Sequence, residues 1–548
     1  MNKASLWISC LVLFLLAGCT NAGKQAAEEE TTFTNPVIYA DVPDVDVIRV
    51  GSDYYMISTT AHMSPGAPIM HSKDMVNWKI ISYVFDELKE SPYNDLEGGN
   101  IYSRGQWAAS LRYHDGLFYV FFGTGNKSYI YTAKDPAGKW EQKLVIDEYL
   151  HDASMLFDDD GRIYLAYGAR HIRIIEFNKD LSGINPNGLQ VEVIPGEPQG
   201  LLEGTHFYKF NGKYYLTLIW WPEGGIRTQL CFRSDKVSGP YEMKTILSDD
   251  LGYANHGVAQ GCFIDTEAGE WYAMLFQDHE AVGRVPVLMP CRWENGWPML
   301  GDENGKVPPV MKVPVQGYDE KTELVVSDNF DEAPKLGLTW QWNHNPDNLL
   351  WTLTERPGYL RLKTGKVVKN LFEARNTLTQ RTEGPKCSGV VSLDLTFMND
   401  GDYAGLAAFC SEPGILSVVK EYGKKYLVMT DRNVEKARRE LNQDIVFLKM
   451  ECDFTTDYAQ FSYSLDDTNW TPIGDKFHMI FSMAHFTGNK FAIFNYATKA
   501  AGGYVDVDFF RYERQTCLCG RTKTTWKFAS LISEAVLYRS WFPIKMVT

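Results

Sequence analysis

The chain lacks most of the devices that build small or metal-held folds. Its ten cysteines are scattered, with no Cys-x-x-Cys pair and no histidines at zinc spacing. This argues against a structural zinc and against a disulfide framework, and most of these cysteines sit in apolar strand patterns as small core residues. No stretch longer than about ten residues keeps a strong helical period. No apolar run reaches the roughly 20 residues that a bilayer span needs. Positive charge is short as well: 54 Lys and Arg stand against 69 Asp and Glu, a net charge of -15, which excludes a nucleic-acid partner. What is plentiful is aromatic. Tyr, Phe and Trp make up 14% of the chain, with 30 Tyr, a composition suited to strands and to surfaces that stack on sugars. A length of 548 residues gives room for two or three domains.

Residues 1–19 read as a targeting segment. Lys3 supplies the positive start, residues 6–16 the apolar run, and Leu16-Ala17-Gly18-Cys19 the end. Small residues before a cysteine resemble a bacterial lipobox. This implies cleavage before Cys19, with lipid on its thiol and its new amino group. An ordinary signal peptide cut nearby is the alternative. Residues 20–32, with Glu28-Glu29-Glu30, read as a solvated tether. The expected location is a bacterial cell envelope, lipid-anchored and facing the periplasm, with the cell surface as the other option.

The strongest signal is an internal repeat. Five segments share one design: an apolar run, a turn with Gly, then aromatics leading a second apolar run. They read PDVDVIRVGSDYYMIST from Pro43, WAASLRYHDGLFYVFFG from Trp107, DASMLFDDDGRIYLAYG from Asp152, EGTHFYKFNGKYYLTLI from Glu203 and QGCFIDTEAGEWYAMLF from Gln260. The turn glycines Gly51, Gly116, Gly161, Gly212 and Gly269 lie 65, 45, 51 and 57 residues apart. Short strands repeating near 50 residues indicate a propeller. The prediction is an all-β chain: a five-bladed β-propeller over residues 33–315, then a β-sandwich of jelly-roll or concanavalin type over 327–513. Its strands are expected at 389–397, 403–409, 425–431, 459–464, 490–496 and 503–513. Residues 514–548, with Cys517-Leu518-Cys519, read as an atypical extension, disordered or non-native.

The repeats also align in register. Trp107, Asp152, Glu203 and Gln260 each stand nine residues before their turn glycine, and Asp44 stands seven before Gly51. The first strand of a blade lines the central channel. These five side chains should therefore converge at one mouth. Three are carboxylic acids, and crowding splits the proton affinities of such groups, leaving an acid and a base at one pH. Glycoside hydrolysis uses such a pair. Groups on different blades should stand in the inverting range, roughly 6.5–9.5 Å apart. Arg284 is the expected cationic partner. Asp46, two residues after Asp44 on the same face, rivals it as the base. Taken singly, each acid reads as a turn or strand-end residue; the shared register carries the functional reading. Asp158-Asp159-Asp160 is expected to be a solvated turn.

These residues resemble glycoside hydrolase family 43 over residues 33–301. The motifs are Asn35-Pro36-Val37 with Pro43-Asp44, Gln106-Trp107-Ala108-Ala109-Ser110, Asp152-Ala153-Ser154, Glu203-Gly204-Thr205-His206, Gly283-Arg284 and Glu294-Asn295-Gly296-Trp297-Pro298. The region from 328 to 513, with Trp340 to Pro346, is similar to the sandwich appended to the family's β-xylosidases and α-L-arabinofuranosidases. The resemblance implies an inverting exo-glycosidase. Asp44 would be the general base and Glu203 the general acid. Asp152 would raise the pKa of Glu203 and orient it. Trp107, Arg284, Gln260 and His279 would contact the sugar. The family usually has Pro after the base, where Val45 stands here. Many members hold a central metal through a histidine where Gln260 stands. No cofactor is needed for the chemistry, the metal stays unassigned, and a structural calcium stays open.

The leading expectation is a non-reducing-end α-L-arabinofuranosidase acting on plant hemicellulose oligosaccharides, from arabinoxylan or xyloglucan. A β-xylosidase or a bifunctional enzyme is the near alternative, since the motifs do not separate them. A non-catalytic carbohydrate-binding propeller is the reading from another class, and it would require Asp44 or Glu203 to be lost. The fructan-cleaving propellers are excluded by the missing Asn-Asp-Pro-Asn block. The partner is an oligosaccharide, the membrane is met only through the N-terminal lipid, and no residue pattern fixes an oligomeric state.

Overall fold

The computed structural model describes residues 31–196, 199–253 and 255–515. The expected leader with Cys19, the tether through residue 30 and the chain from 516 onward lie outside the described residues.

Each sequence repeat opens a four-stranded antiparallel sheet, giving five blades. The turn glycines close the first hairpin of each blade at φ between 61° and 83°, a left-handed conformation that costs glycine nothing extra. Two such hairpins are Trp107–His114 with Leu117–Thr124 and Leu201–Phe210 with Lys213–Trp221. The second strand of a blade lies mid-sheet between neighbouring blades, so apolar residues face both ways. Phe121 and Phe122, adjacent in sequence, are both fully buried: Phe121 packs toward the third blade and Phe122 toward the first. The ring closes where Met274 and Leu288 of the fifth blade pack on Val47, Met56 and Met70 of the first. Thr32–Thr34 also pairs antiparallel with Val310–Lys312, fastening the start of the domain to the segment after its last blade.

The second domain is a sandwich of two eight-stranded sheets. One runs from Val434–Leu441 through Asp402–Phe409, Lys490–Ala497, Leu378–Arg381 and Gln341–Asn343. Its last strand is Met63–Ser64, supplied by the first propeller blade and paired to Trp342 and Asn343. Ala281, Val282 and Val285 of the fifth blade join the sandwich core. The two domains therefore share both a sheet and a core.

Two expectations need correction. Arg514 and Gln515 belong to the closing strand Tyr504–Gln515, pairing with Cys387 and Lys386, so they are not part of an extension. Asp158 is buried rather than solvated, because Lys209 Nζ and Tyr214 OH (2.6 Å) of the next blade donate to it, while Asp159 and Asp160 stay exposed. The six described cysteines are buried free thiols. Among the described residues, helix is confined to three short 3-10 turns.

Candidate active site

The register residues sit where the chain enters the innermost strand of each blade. Asp44, Asp152 and Gln260 take left-handed φ of 53°, 43° and 68°. The inner strands of blades two, four and five lose register just after entry, between Trp107 and Ser110, Glu203 and His206, and Ala259 and Gly261. A bulge re-aims a side chain that regular pleating would send elsewhere. Left-handed backbone in a non-glycine residue costs about 1–3 kcal/mol and persists where surroundings enforce it. Here the result is a shared cavity bordered by Asp44, Ala108, Asp152, Gly204 and Gln260.

Asp44 is buried and fully engaged. Thr59 Oγ1 donates to it at 2.7 Å, Gln260 Nε2 at 3.1 Å, and Arg284 Nη1 at 3.0 and 3.2 Å. Arg284 in turn donates to the Phe486 carbonyl at 3.4 Å, and its guanidinium lies 4.5 Å from the Phe486 ring centre. That ring is 5.1 Å from Trp107. Trp107, Arg284 and Asp44 are thus joined through a residue of the sandwich. Nothing in the sequence marked Phe486, since its position depends on how the domains dock.

Asp46, the rival to Asp44, has a different task. Its Oδ2 accepts from Leu111 N at 2.8 Å and from Arg112 Nη1 at 2.6 Å, tying the first blade to the second. Strand alternation does put both acids on the channel, but Asp46 lies 1% exposed and already paired.

The other two acids meet through a histidine. His151 Nε2 lies 3.1 Å from Glu203 Oε2 and 3.5 Å from Asp152 Oδ2. Asp152 Oδ2 also accepts from the Gly204 backbone at 3.0 Å. Burial, reinforced by the Glu203 and Asp44 charges and opposed by His151, lifts the Asp152 carboxyl to about 7. Burial works against a charge on His151, yet the Asp152 and Glu203 carboxylates outweigh it and raise its pKa to about 9. His151 directly precedes a register acid, which was the available signal for it. Gly204 has φ +70°, and a Cβ there would stand 2.7 Å from the Gln260 side chain. The close neighbour that requires this glycine is therefore Gln260.

Gln260 touches Asp44, so it sits in the cluster as an orienting group. His279 does not join it. That ring stacks on Tyr253 at 3.9 Å and bonds Gln277 at 2.8 Å, and burial lowers it to about 4.

A structural calcium finds a sparse set of donors in the channel. Among the described residues of the channel, Asp46 Oδ1 and Thr205 Oγ1 are buried without hydrogen-bond partners, the former 3.7 Å from His206 Nε2. The other oxygen of Asp46 is neutralised by Arg112, whereas calcium takes six to eight oxygen ligands. Among the described residues, the group close enough to share an ion is His151, Asp152 and Glu203, three side chains that by themselves fall short of such a set.

The chain is similar to known proteins along both domains. The family described as glycosyl hydrolases family 43 matches residues 33–298, and the beta xylosidase C-terminal concanavalin A-like domain matches 327–513. A beta-xylosidase of Formosa agariphila is 32% identical over 90% of this chain and 92% of its own. A non-reducing end alpha-L-arabinofuranosidase of Bacteroides ovatus is 32% identical over 65% of this chain and 69% of its own. The solved structure of a bifunctional GH43-CE protein of Bacteroides eggerthii superposes with a TM-score of 0.84 at 44% identity; it covers 90% of this chain, which spans 65% of that longer one.

Proposed function

The chain belongs to glycosyl hydrolases family 43, and from that premise we propose that it removes terminal α-L-arabinofuranosyl residues from plant hemicellulose oligosaccharides, with inversion. The observation that carries the reading is the pairing of Asp44, held by Arg284, Thr59 and Gln260, with a separate Glu203–His151–Asp152 cluster across the same mouth. In this scheme Asp44 activates water and Glu203 protonates the leaving oxygen. Asp152 and His151 hold a proton and position it beside Glu203. The raised proton affinity of Asp152 and of His151 supports a proton held beside Glu203.

Exo action is supported by Phe486. Seated against Trp107 and Arg284, it would wall one side of the mouth, as a pocket for a chain end requires and a through-groove does not. Trp107 and Arg284 would bind the terminal sugar.

The second reading is a β-xylosidase, and the name of the Formosa agariphila relative favours it. Hydrolysis of p-nitrophenyl α-L-arabinofuranoside and p-nitrophenyl β-D-xylopyranoside, side by side with Glu203→Gln, separates the two. Arabinoside preference supports the first reading and xyloside preference the second. No Glu203-dependent release from either would turn the reading toward a binding propeller. Arabinoxylan and xyloglucan oligosaccharides then distinguish the parent polymers. Anchoring through Cys19 rests on Leu16-Ala17-Gly18-Cys19; a Cys19→Ala variant that stays membrane-bound would defeat it.

A further inference from the structure

A second cavity lies at the joint between the domains, beside the catalytic cluster, and shares with it Thr59 and Arg284, both of which donate to Asp44. It is lined by Asp41, Thr59, Arg284, Arg381, Thr487 and Lys490, among others. Its volume is about 10 Å³, on the order of one water molecule.

The charge around it does not balance. Arg284, Arg381 and Lys490 contribute three cations, and all three are at least 96% buried. Asp44 answers Arg284 at 3.0 Å. Asp41 is the remaining carboxylate of the lining; the backbones of Arg284 and Gly488 donate to it, each at 2.9 Å, and its charge offsets a second cation, so one cation is in excess. Arg381 and Lys490 are direct cross-strand partners in one sheet, an arrangement that repels unless something sits between the charges. The next carboxylate along, Glu383, is taken by Tyr512 and by Arg514 at 3.4 Å.

Donors are in excess as well. Arg381 Nη1, Arg284 Nε and Thr487 Oγ1 are buried without any hydrogen-bond partner. All three belong to residues lining this one cavity. Buried unpaired donors are expensive, and those on charged groups more so. A single water could take some of these bonds but would leave the one excess cation unanswered. The pressure is visible on Lys490, which burial, then Arg381, lower to about 7 against the opposing pull of Asp41.

We propose that this cavity is a binding site for one monatomic, halide-sized anion. It is held by Arg381, Lys490 and Thr487 of the sandwich and by Arg284 of the propeller. The anion would tie the two domains together at the residue that also grips Asp44.

The test is anomalous diffraction from crystals of the full chain soaked in sodium bromide. The expected result is a bromide peak within contact of Arg381 Nη1, Lys490 Nζ and Thr487 Oγ1. Water without anomalous signal at that position would overturn the proposal. In solution, the melting midpoint should rise saturably with chloride or bromide beyond the effect of methanesulfonate at equal ionic strength. Thr487→Val and Lys490→Met should each lose that halide-specific part, the former keeping the test open if the latter fails to fold. Equal shifts with halide and methanesulfonate would also overturn it. Neither readout depends on which sugar the enzyme cleaves.

Discussion

Histidine is held in opposite ways in two neighbouring regions of the molecule. At the propeller mouth, His151 faces two carboxylates at 3.1 and 3.5 Å and rises to about 9. At the seam with the sandwich, His62, His344 and His485 gather around Tyr102, with ring centres 4.1 to 4.6 Å from the tyrosine. Among the described residues, no carboxylate acts on them. Burial lowers all three, His344 and His485 to about 3. The same side chain is thus a charged partner in one place and neutral packing in the other. The difference lies in the neighbours, because burial disfavours the charge in both.

The largest expected effect tests whether the mouth alone carries the chemistry. Asp44→Asn and Glu203→Gln should each lower kcat/KM by about 10²–10⁴-fold, while thermal melting stays that of a folded two-domain chain. Near-normal turnover in Asp44→Asn would move the base to Asp46. Phe486→Ala breaks the one ring that links seam to mouth. Steady-state kinetics should show a loss of up to about 10²-fold through misplaced sugar. An unchanged kcat/KM would remove the sandwich from the site.

Stability against pH sharpens the comparison, because the two regions have opposite signs. His344 and His485 have folded values below the unfolded value of about 6.5. Their contribution is present above that pH and is lost as pH falls toward about 3. His151 has a folded value above it. Its contribution is full below about 6.5 and is lost as pH rises through about 9. Calorimetry of His151→Asn should show a smaller alkaline loss than the native chain, with the acid side unchanged. His62→Met should do the reverse. Both ring nitrogens of His62 lack partners, so an apolar replacement should be neutral or stabilising at pH 8 and should reduce the acid loss. If His62→Met melts well below the native chain at pH 8, the neutral-packing account of the seam is wrong.

The fold was legible because a propeller repeats. Five turn glycines and five apolar hairpins carry the signal many times over; period-two patterning marked six sandwich strands to within a few residues and missed others, Gly414–Glu421, Val434–Leu441 and Ile445–Asp453 among them. The candidate site was partly legible for the same reason: one register position across the blades located Asp44, Trp107, Asp152, Glu203 and Gln260. What sequence alone determined is what local pattern encodes, namely strand, turn, blade and the ring position of each acid. Tertiary structure decided the rest. It paired Asp46 with Arg112, drew Asp158 inward, placed His151 between two acids and left His279 outside. It also brought Phe486, Arg381 and Lys490 from the distant sandwich to the propeller. These outcomes depend on distances between side chains far apart in the chain, and no local spacing encodes them.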